Sequence, residues 1–199
     1  MQLQTVTPPT TNAVALDVAK SHLRVVSDDD DTYIRDQLLP AAEQTIATLT
    51  RRQLMAATYR LHLDRFPLGS LPIVLPMAPL VDADSVAVSY VDPDGNAATV
   101  DGCLVAAWKE PAEVVPPIGT PWPATQYGRP GAVTVEYQAG HASQAAVPRP
   151  LIEAVLLLVG HWYEHRESVV VGTIASELPQ ALQTLIETQR VGDDFIEFG

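Results

Sequence analysis

Residues 151–165 have the sequence LIEAVLLLVGHWYEH, in which apolar side chains recur every three or four positions. This spacing predicts an amphipathic helix, and Pro148 and Pro150 suit its first turn. Its apolar surface extends over much of the circumference, so the helix must be buried within the subunit or between subunits. We predict that it packs against neighbouring subunits through Leu151, Val155, Leu158, Trp162 and Tyr163.

Helical patterns also occupy the first third of the chain. Thr11 or Asn12 is a suitable N-cap for a short helix that ends near Arg24. A longer helix is expected over residues 29–52, with a kink or a lost hydrogen bond at Pro40 because proline has no N–H. Helices are therefore expected before the middle third of the chain as well as after it.

The middle third has a different character. Eleven of the 17 prolines lie between Pro67 and Pro130, and proline is poorly tolerated in helix interiors. Asp92-Pro-Asp-Gly-Asn96 is typical of a hairpin turn, and residues 116–130 are expected to form an ordered loop without strand pairing. Alternating or β-rich patterns predict short strands near residues 59–63, 86–90, 97–100, 103–108 and 133–137.

These patterns predict an α+β protein. The helices of residues 1–56 and 148–199 are expected to pack as a small helical bundle. That bundle includes a last helix over about residues 178–190, with Ser176 as a possible cap. A proline-rich, mainly antiparallel β insertion is expected over residues 57–147, with the whole chain forming one structural unit.

Composition excludes several classes of function. The 199 residues include 12 Lys and Arg and 24 Asp and Glu, for a net charge of −12, and no segment forms a basic patch for nucleic-acid binding. The single cysteine, Cys103, excludes an internal disulfide framework and reads as a small core residue. The apolar run Ala154–Val159 is much shorter than the about 20 residues of a membrane span, so no membrane partner is expected.

One motif points to metal chemistry. His161-Trp-Tyr-Glu164-His165 fits the pattern H-x-x-E-H, which places two histidines one helical turn apart, as a zinc pair requires. A small zinc-dependent hydrolase is thus the alternative hypothesis, with Glu164 as general base and Glu177 or Glu187 as third ligand. The competing interpretation is an aromatic-rich helix end, where cationic histidines suit the dipole.

Four consecutive aspartates, Asp28 to Asp31, precede the second predicted helix. Calcium loops space their carboxylates at alternate positions and close with a bidentate glutamate, which this run lacks. We interpret the run as N-cap and dipole partners of the helix.

The order of several segments resembles that of tailed-phage head–tail connector proteins, a family also found in gene transfer agents. The segment Leu156–Glu167 is closest, because the family typically has LLLVGHWYENRE there. This chain carries His165 where relatives commonly have asparagine, which weakens the zinc hypothesis. Further similar segments are Leu16–Val25, Leu63–Pro67, Leu75–Leu80, Trp122–Thr125 and Arg129–Val133.

The resemblance implies a non-enzymatic structural protein of the virion neck, without catalytic residues or cofactors. Such connectors, also called adaptors, form a ring, usually of twelve subunits, beneath the portal and join the DNA-filled capsid to the stopper or tail. Partners would be other copies of the chain, the portal protein, a stopper or tail-completion protein, and DNA that passes without specific binding. The protein would be made in the host cytoplasm and located in the virion.

The resemblance also suggests a role for the last nine residues. C-terminal segments of such adaptors often contact the portal. Residues 191–199 contain three large apolar side chains, which is unusual for a solvated terminus. We therefore predict a portal-contacting tail with Phe195, Ile196 and Phe198 as its anchors.

Overall fold

The computed structural model describes residues 1–165 and 179–192, which form an α+β structure with antiparallel sheets, as predicted. The chain divides into two compact units. The strand unit contains Met1–Pro9 and Ala56–Gly140, together with Val191 and Gly192. The helical unit contains the described residues of Thr10–Met55 and His141–Arg190. In the described part of the chain, no helix has the length and apolar character to cross a membrane.

A five-stranded antiparallel sheet is the framework of the strand unit. Its order is β1-β2-β8-β4-β5. The strands are β1 Gln2–Thr7, β2 Ala57–Leu63, β4 Ala87–Val91, β5 Ala97–Thr99 and β8 Val133–Ala139. The inward side chains of β2 and β8 supply much of the core, because alternate residues of both strands are buried. β1, which pairs with β2 at the sheet edge, is not among the predicted strands.

Three shorter strands form a second sheet in the order β3-β7-β6. They are β3 Ile73–Val74, β6 Leu104–Ala106 and β7 Glu113–Val115. The predicted hairpin is present between β4 and β5, where Asp92 Oδ1 accepts the Asn96 N–H at 2.8 Å and Gly95 has a φ of 92°. Residues 116–130 contain no strand, in agreement with the expected loop.

The helical unit is built on α4, Arg149–Glu164, which packs against α1, Leu16–Leu23, against α3, Leu39–Thr50, and against α5, Gln180–Gln189. α1 approaches α4 at Gly160, where the His22 ring lies 3.5 Å from the position that a Cβ would take. Arg52 Nε also donates to the Gln189 carbonyl at 2.6 Å, which ties the end of α3 to α5.

The predicted disturbance at Pro40 takes the form of a local widening of the helix. The one-turn α2, Asp31–Tyr33, continues through a π-helical segment, Ile34–Leu38, into α3. There the Leu39 N–H bonds to the Ile34 carbonyl, five residues back, and Pro40 occupies the first turn of α3. The wider turn therefore ends where the chain lacks an N–H.

The expected cap of α1 is wrong, whereas the aspartate run lies at the N-terminus of α2 as expected but makes no side-chain capping bond. α1 begins at Leu16 with Ala15 as its N-cap, because the Asn12 amide instead donates to the Arg35 carbonyl at 2.9 Å. The side chain of Asp30, the N-cap of α2, accepts no hydrogen bond from the helix. It accepts one from a tyrosine hydroxyl of α4 instead.

Candidate assembly surfaces

The apolar face of α4 is largely covered within one chain. Leu151, Val155 and Leu158 have no exposed surface, and Ile152, Leu156 and Val159 on the adjacent stripe are also buried. Their burial forms the centre of the helical unit. Of the five residues predicted to pack between subunits, Trp162 and Tyr163 retain partial exposure, and the other three are buried within the chain.

Tyr163 is anchored at its polar end. Its hydroxyl donates to Asp30 Oδ2 at 2.5 Å, which connects the last turn of α4 to the start of α2. Hydrogen bonds to a carboxylate are about twice as strong as neutral ones. This bond therefore holds the half-buried ring of Tyr163 in one orientation.

His161 and His165 lie one helical turn apart, as predicted, with ring centroids 4.8 Å apart. His165 follows the last residue of α4, and its Nδ1 lies 2.9 Å from the His161 carbonyl oxygen. A carbonyl only accepts, so Nδ1 carries the proton and the ring caps the helix end. The motif thus has a structural role in the chain itself.

A third metal ligand is not found near this pair in the described residues. In residues 1–165 and 179–192, no three His, Cys, Asp or Glu side chains are grouped closely enough to hold a metal ion. Glu187 is exposed on α5, and Glu177 lies outside the described residues, as does the predicted cap Ser176. The described residues therefore offer two of the three protein ligands that a catalytic zinc site needs.

The aspartate run forms an ion-pair network. Lys20 Nζ lies 2.6 Å from both Asp28 Oδ1 and Asp31 Oδ1. The hydrogen bond with Lys20, and then its positive charge, lowers the pKa of the Asp28 carboxyl. The same bonds, first with Asp28 and then with Asp31, raise the pKa of Lys20. These carboxylates are engaged within the helical unit, which explains the run without a bound cation.

Glu43 on α3 accepts hydrogen bonds from the backbone segment that leads into α1. Its Oε1 accepts the Val14 N–H at 3.1 Å, and the Ala13 N–H also bonds to this carboxyl. Burial outweighs these hydrogen bonds and raises the pKa of Glu43. A half-buried carboxylate thus holds the segment that leads into α1, while α1 itself has no side-chain cap.

Several large apolar side chains are exposed on the strand unit, and the sequence patterns do not mark them. The most exposed are Leu68, Trp108, Ile118 and Tyr127, each with at least 83% of its surface free. Leu68 and Ile118 each lie between a proline and a glycine, in Pro67-Leu-Gly69 and Pro117-Ile-Gly119. This repeated tripeptide is the sequence signal by which Leu68 and Ile118 could have been found. Cys103, by contrast, is half-buried, and burial raises the pKa of its thiol.

The predicted tail anchors Phe195, Ile196 and Phe198 lie outside the described residues, so the geometry adds nothing about them. The portal-contacting tail remains a prediction from the sequence.

Comparison with solved structures relates the chain to virus-like particles. One neighbour belongs to the neck of an empty gene transfer agent particle, computed with C6 symmetry, at 27% identity and a TM-score of 0.77. Another belongs to the virion of a native gene transfer agent particle, at 28% identity and a TM-score of 0.76. In both cases, the similarity covers 96% of each chain.

The resemblance to gene transfer agent neck proteins is confirmed. A third neighbour comes from the neck of a native gene transfer agent particle computed with C12 symmetry, at 27% identity, 96% coverage of each chain and a TM-score of 0.68. No protein-family model matches the chain, and no curated protein matches it significantly. Because its structural neighbours are components of a virion and of its neck, the chain is a structural protein and not an enzyme.

Proposed function

We propose that this chain is the head–tail adaptor of a phage-like particle, where twelve copies form a ring beneath the portal and connect the capsid to a stopper or tail. The observation that carries this proposal is the similarity over 96% of both chains to a component of a particle neck computed with C12 symmetry. Closed cyclic rings use two different faces of each subunit, so each copy must offer two complementary surfaces.

The helices are proposed to pack as a small bundle that forms the wall of this ring. Within one chain, α4 already contacts α1, α3 and α5. The remaining partly exposed aromatic side chains, Trp162 and Tyr163, lie at the C-terminal end of α4. We place the contact with a neighbouring copy there, because aromatic side chains provide a large apolar contact area at little cost in side-chain entropy.

Charge supports a role beside DNA that does not involve binding it. The chain has a net charge of −12, and the basic side chains of Lys20 and Arg60 lie in ion pairs with Asp28 and Glu136. If acidic side chains line the channel of the ring, they repel phosphates, so DNA passes without adhering.

The remaining assignments follow from this position. The tail residues Phe195, Ile196 and Phe198 are proposed to insert into the portal, and the opposite end of the ring is proposed to receive the stopper or tail-completion protein. The protein is proposed to be synthesised in the host cytoplasm and to reside in the neck of the finished virion.

Deletion of the coding sequence in the producing cell tests this function. We expect heads that package DNA but lack tails, as seen by electron microscopy, together with restoration of tailed particles when the wild-type chain is supplied. A tagged wild-type chain is expected at the neck of these restored particles, in twelve copies.

Two results would contradict the proposal. Normal tailed particles in the deletion strain would show that the chain does not join head to tail. Purified particles with a label on the tail tip or capsid surface, and none at the neck, would assign the chain to another part of the virion.

A further inference from the structure

Two loops of the strand unit each carry a tight turn with a glycine of positive φ at one of its two central positions. Pro67-Leu-Gly-Ser70 and Pro117-Ile-Gly-Thr120 lie fifty residues apart in sequence. The Leu71 N–H closes one turn on the Leu68 carbonyl, and the Thr120 N–H closes the other on the Pro117 carbonyl. Gly69 and Gly119 have φ values of 61° and 79°, which favour glycine at both places. We call this pair of turns the twin tip.

The twin tip is held together by hydrogen bonds between its loops. The Trp122 backbone N–H donates to the Gly69 carbonyl at 2.9 Å, and its indole N–H donates to the Leu71 carbonyl at 2.8 Å. The Ser70 hydroxyl donates to the Thr120 carbonyl at 3.2 Å. The Trp122 ring stacks on Phe66 with centroids 4.7 Å apart, and both rings are buried. Both turns are therefore preorganised on the core.

Both turns present large aliphatic side chains to solvent, and Leu71, which closes the first turn, is also 52% exposed. Leu68 is 83% exposed and Ile118 is 86% exposed. Residues 67–72 and 116–123, which form the two loops, contain no charged side chain in a chain with a net charge of −12. Two acidic copies approach each other with least repulsion at such an uncharged surface. A rigid apolar projection also loses little entropy on binding.

A receiving surface of matching character lies on the helical unit. An open hollow of about 250 Å³ is bordered mainly by small and apolar side chains. Among the described residues that line the hollow, Arg149 is the only charged one and none is a carboxylate. Its lining includes Ala13, Ala15, Val18, Val147 and Ile152. Val18 is 42% exposed, which leaves apolar surface available for a partner.

We propose that the twin tip of one copy packs into this hollow on the helical unit of the next copy, with Leu68 and Ile118 as anchors. A projection and a hollow are different surfaces, so the contact is heterologous and can propagate around a closed ring. This inference rests on the proposed function, because it assigns residues to the contact between copies that a ring requires.

Charge insertion at the anchors tests the first half of the contact. The variant with Leu68→Asp and Ile118→Asp is supplied to the deletion strain, and the chain content of purified particles is measured by quantitative mass spectrometry. We expect at least tenfold less chain per particle than wild type, with an unchanged melting temperature of the purified variant. The matched control, Val26→Asp with Tyr127→Asp, also alters two exposed apolar residues and should be incorporated normally.

Cysteine cross-linking tests the pairing of the two surfaces. Chains with Leu68→Cys and chains with Val18→Cys, both carrying Cys103→Ser and tags of different size, are incorporated together into particles and oxidised. We expect a mixed dimer that joins the two tags. A dimer formed only between Leu68→Cys chains, or no dimer in particles that contain both chains, would overturn the inference.

The outcomes separate this inference from the proposed function. If the doubly charged variant is incorporated like wild type, the twin tip is not an interface, although the adaptor function stands. If the wild-type chain is absent from purified particles, the adaptor function fails, and the inference that rests on it fails as well.

Discussion

The hydroxyl of Tyr163 donates to Asp30 Oδ2 at 2.5 Å, across 133 positions of sequence. The bond joins the final turn of α4, which carries the conspicuous aromatic and histidine cluster, to the aspartate run before α2. Asp30 thereby acts as a structural acceptor within the helical unit. The same contact makes the orientation of Tyr163 dependent on a residue far away in the chain.

Removal of this hydroxyl should destabilise the helical unit. We expect Tyr163→Phe to lower the free energy of unfolding by ~1.5 kcal/mol, because the lost bond ends on a partly buried carboxylate. Chemical denaturation measures the change. Tyr127→Phe is the control, since that side chain is fully solvent-exposed. Equal stability of the two variants would show that the bond contributes nothing measurable.

The Lys20 network should make stability depend on acid. Asp28 has a lowered pKa in the folded state, so its stabilising contribution is present above its unfolded pKa and is lost as the pH falls through the folded value. Lys20→Met should therefore lower the melting temperature at pH 7 and reduce the fall in melting temperature below pH ~4. Lys20→Arg keeps the charge and should behave nearly as wild type. A steep acid transition retained in Lys20→Met would contradict this account.

Glu43 should give a pH dependence of stability that is opposite to that of Asp28. Burial raises its pKa in the folded state, so the folded chain binds this proton more tightly than the unfolded chain does. The stability linked to this proton is present below the unfolded pKa and is lost as the pH rises through the folded value. Glu43→Gln should remove this dependence and keep an acceptor for the N–H groups of Ala13 and Val14. Thermal unfolding of both proteins between pH 3 and pH 7 measures the difference.

Glu43→Ala leaves those two N–H groups without their acceptor. We expect a loss of about 1–3 kcal/mol in the free energy of unfolding, well beyond that of Glu43→Gln. If the glutamine and alanine variants are equally stable, the carboxyl does not hold the segment before α1.

Trp122 should hold the two turns of the twin tip in their closed conformation. Trp122→Phe retains a ring that can stack on Phe66 but removes the indole bond to the Leu71 carbonyl, so a loss of ~1 kcal/mol is expected. Trp122→Ala removes both and should cost ~3–5 kcal/mol. Amide hydrogen exchange at Leu71 and Thr120 should quicken in both variants. Unchanged exchange at these two amides would show that the turns close without Trp122.

Substitution of the apolar tail residues tests the proposed contact with the portal. The triple variant with Phe195→Ser, Ile196→Ser and Phe198→Ser should have an unchanged melting temperature. It should bind purified portal protein at least tenfold more weakly than wild type. Asp193→Asn with Asp194→Asn is the matched control, because it alters the same segment without removing apolar side chains. Portal binding that persists in the triple variant would exclude the tail as the contact.

Local patterns were sufficient to predict elements whose signal lies within one segment. The alternation around Tyr59 and Leu61 predicted β2, the Asp92–Asn96 turn predicted the hairpin, and the apolar spacing from Leu151 predicted α4. In each case the period of apolar residues matches the geometry of the element.

Features that depend on distant partners were not predicted. β1 is recognisable only through its pairing with β2, and Gln2 lies opposite His62. The aspartate run was interpreted as a cap because its partner, Lys20, and the Tyr163 hydroxyl become neighbours only on folding. The twin tip likewise requires two loops fifty residues apart to meet. In all three cases, the structure depends on contacts between residues that are distant in sequence, and these contacts leave no local pattern.

The position of β1 has a consequence for the order in which the chain folds. Gln2–Thr7 is synthesised before its partner Ala57–Leu63, which follows only after all of Thr10–Met55, a segment of the other unit. Closing this long loop costs entropy before any pairing offsets it. During synthesis the first strand therefore waits as an unpaired edge while the helical segment emerges. The sheet is completed only when β8 arrives, so its nascent edges must be kept from pairing with those of other chains.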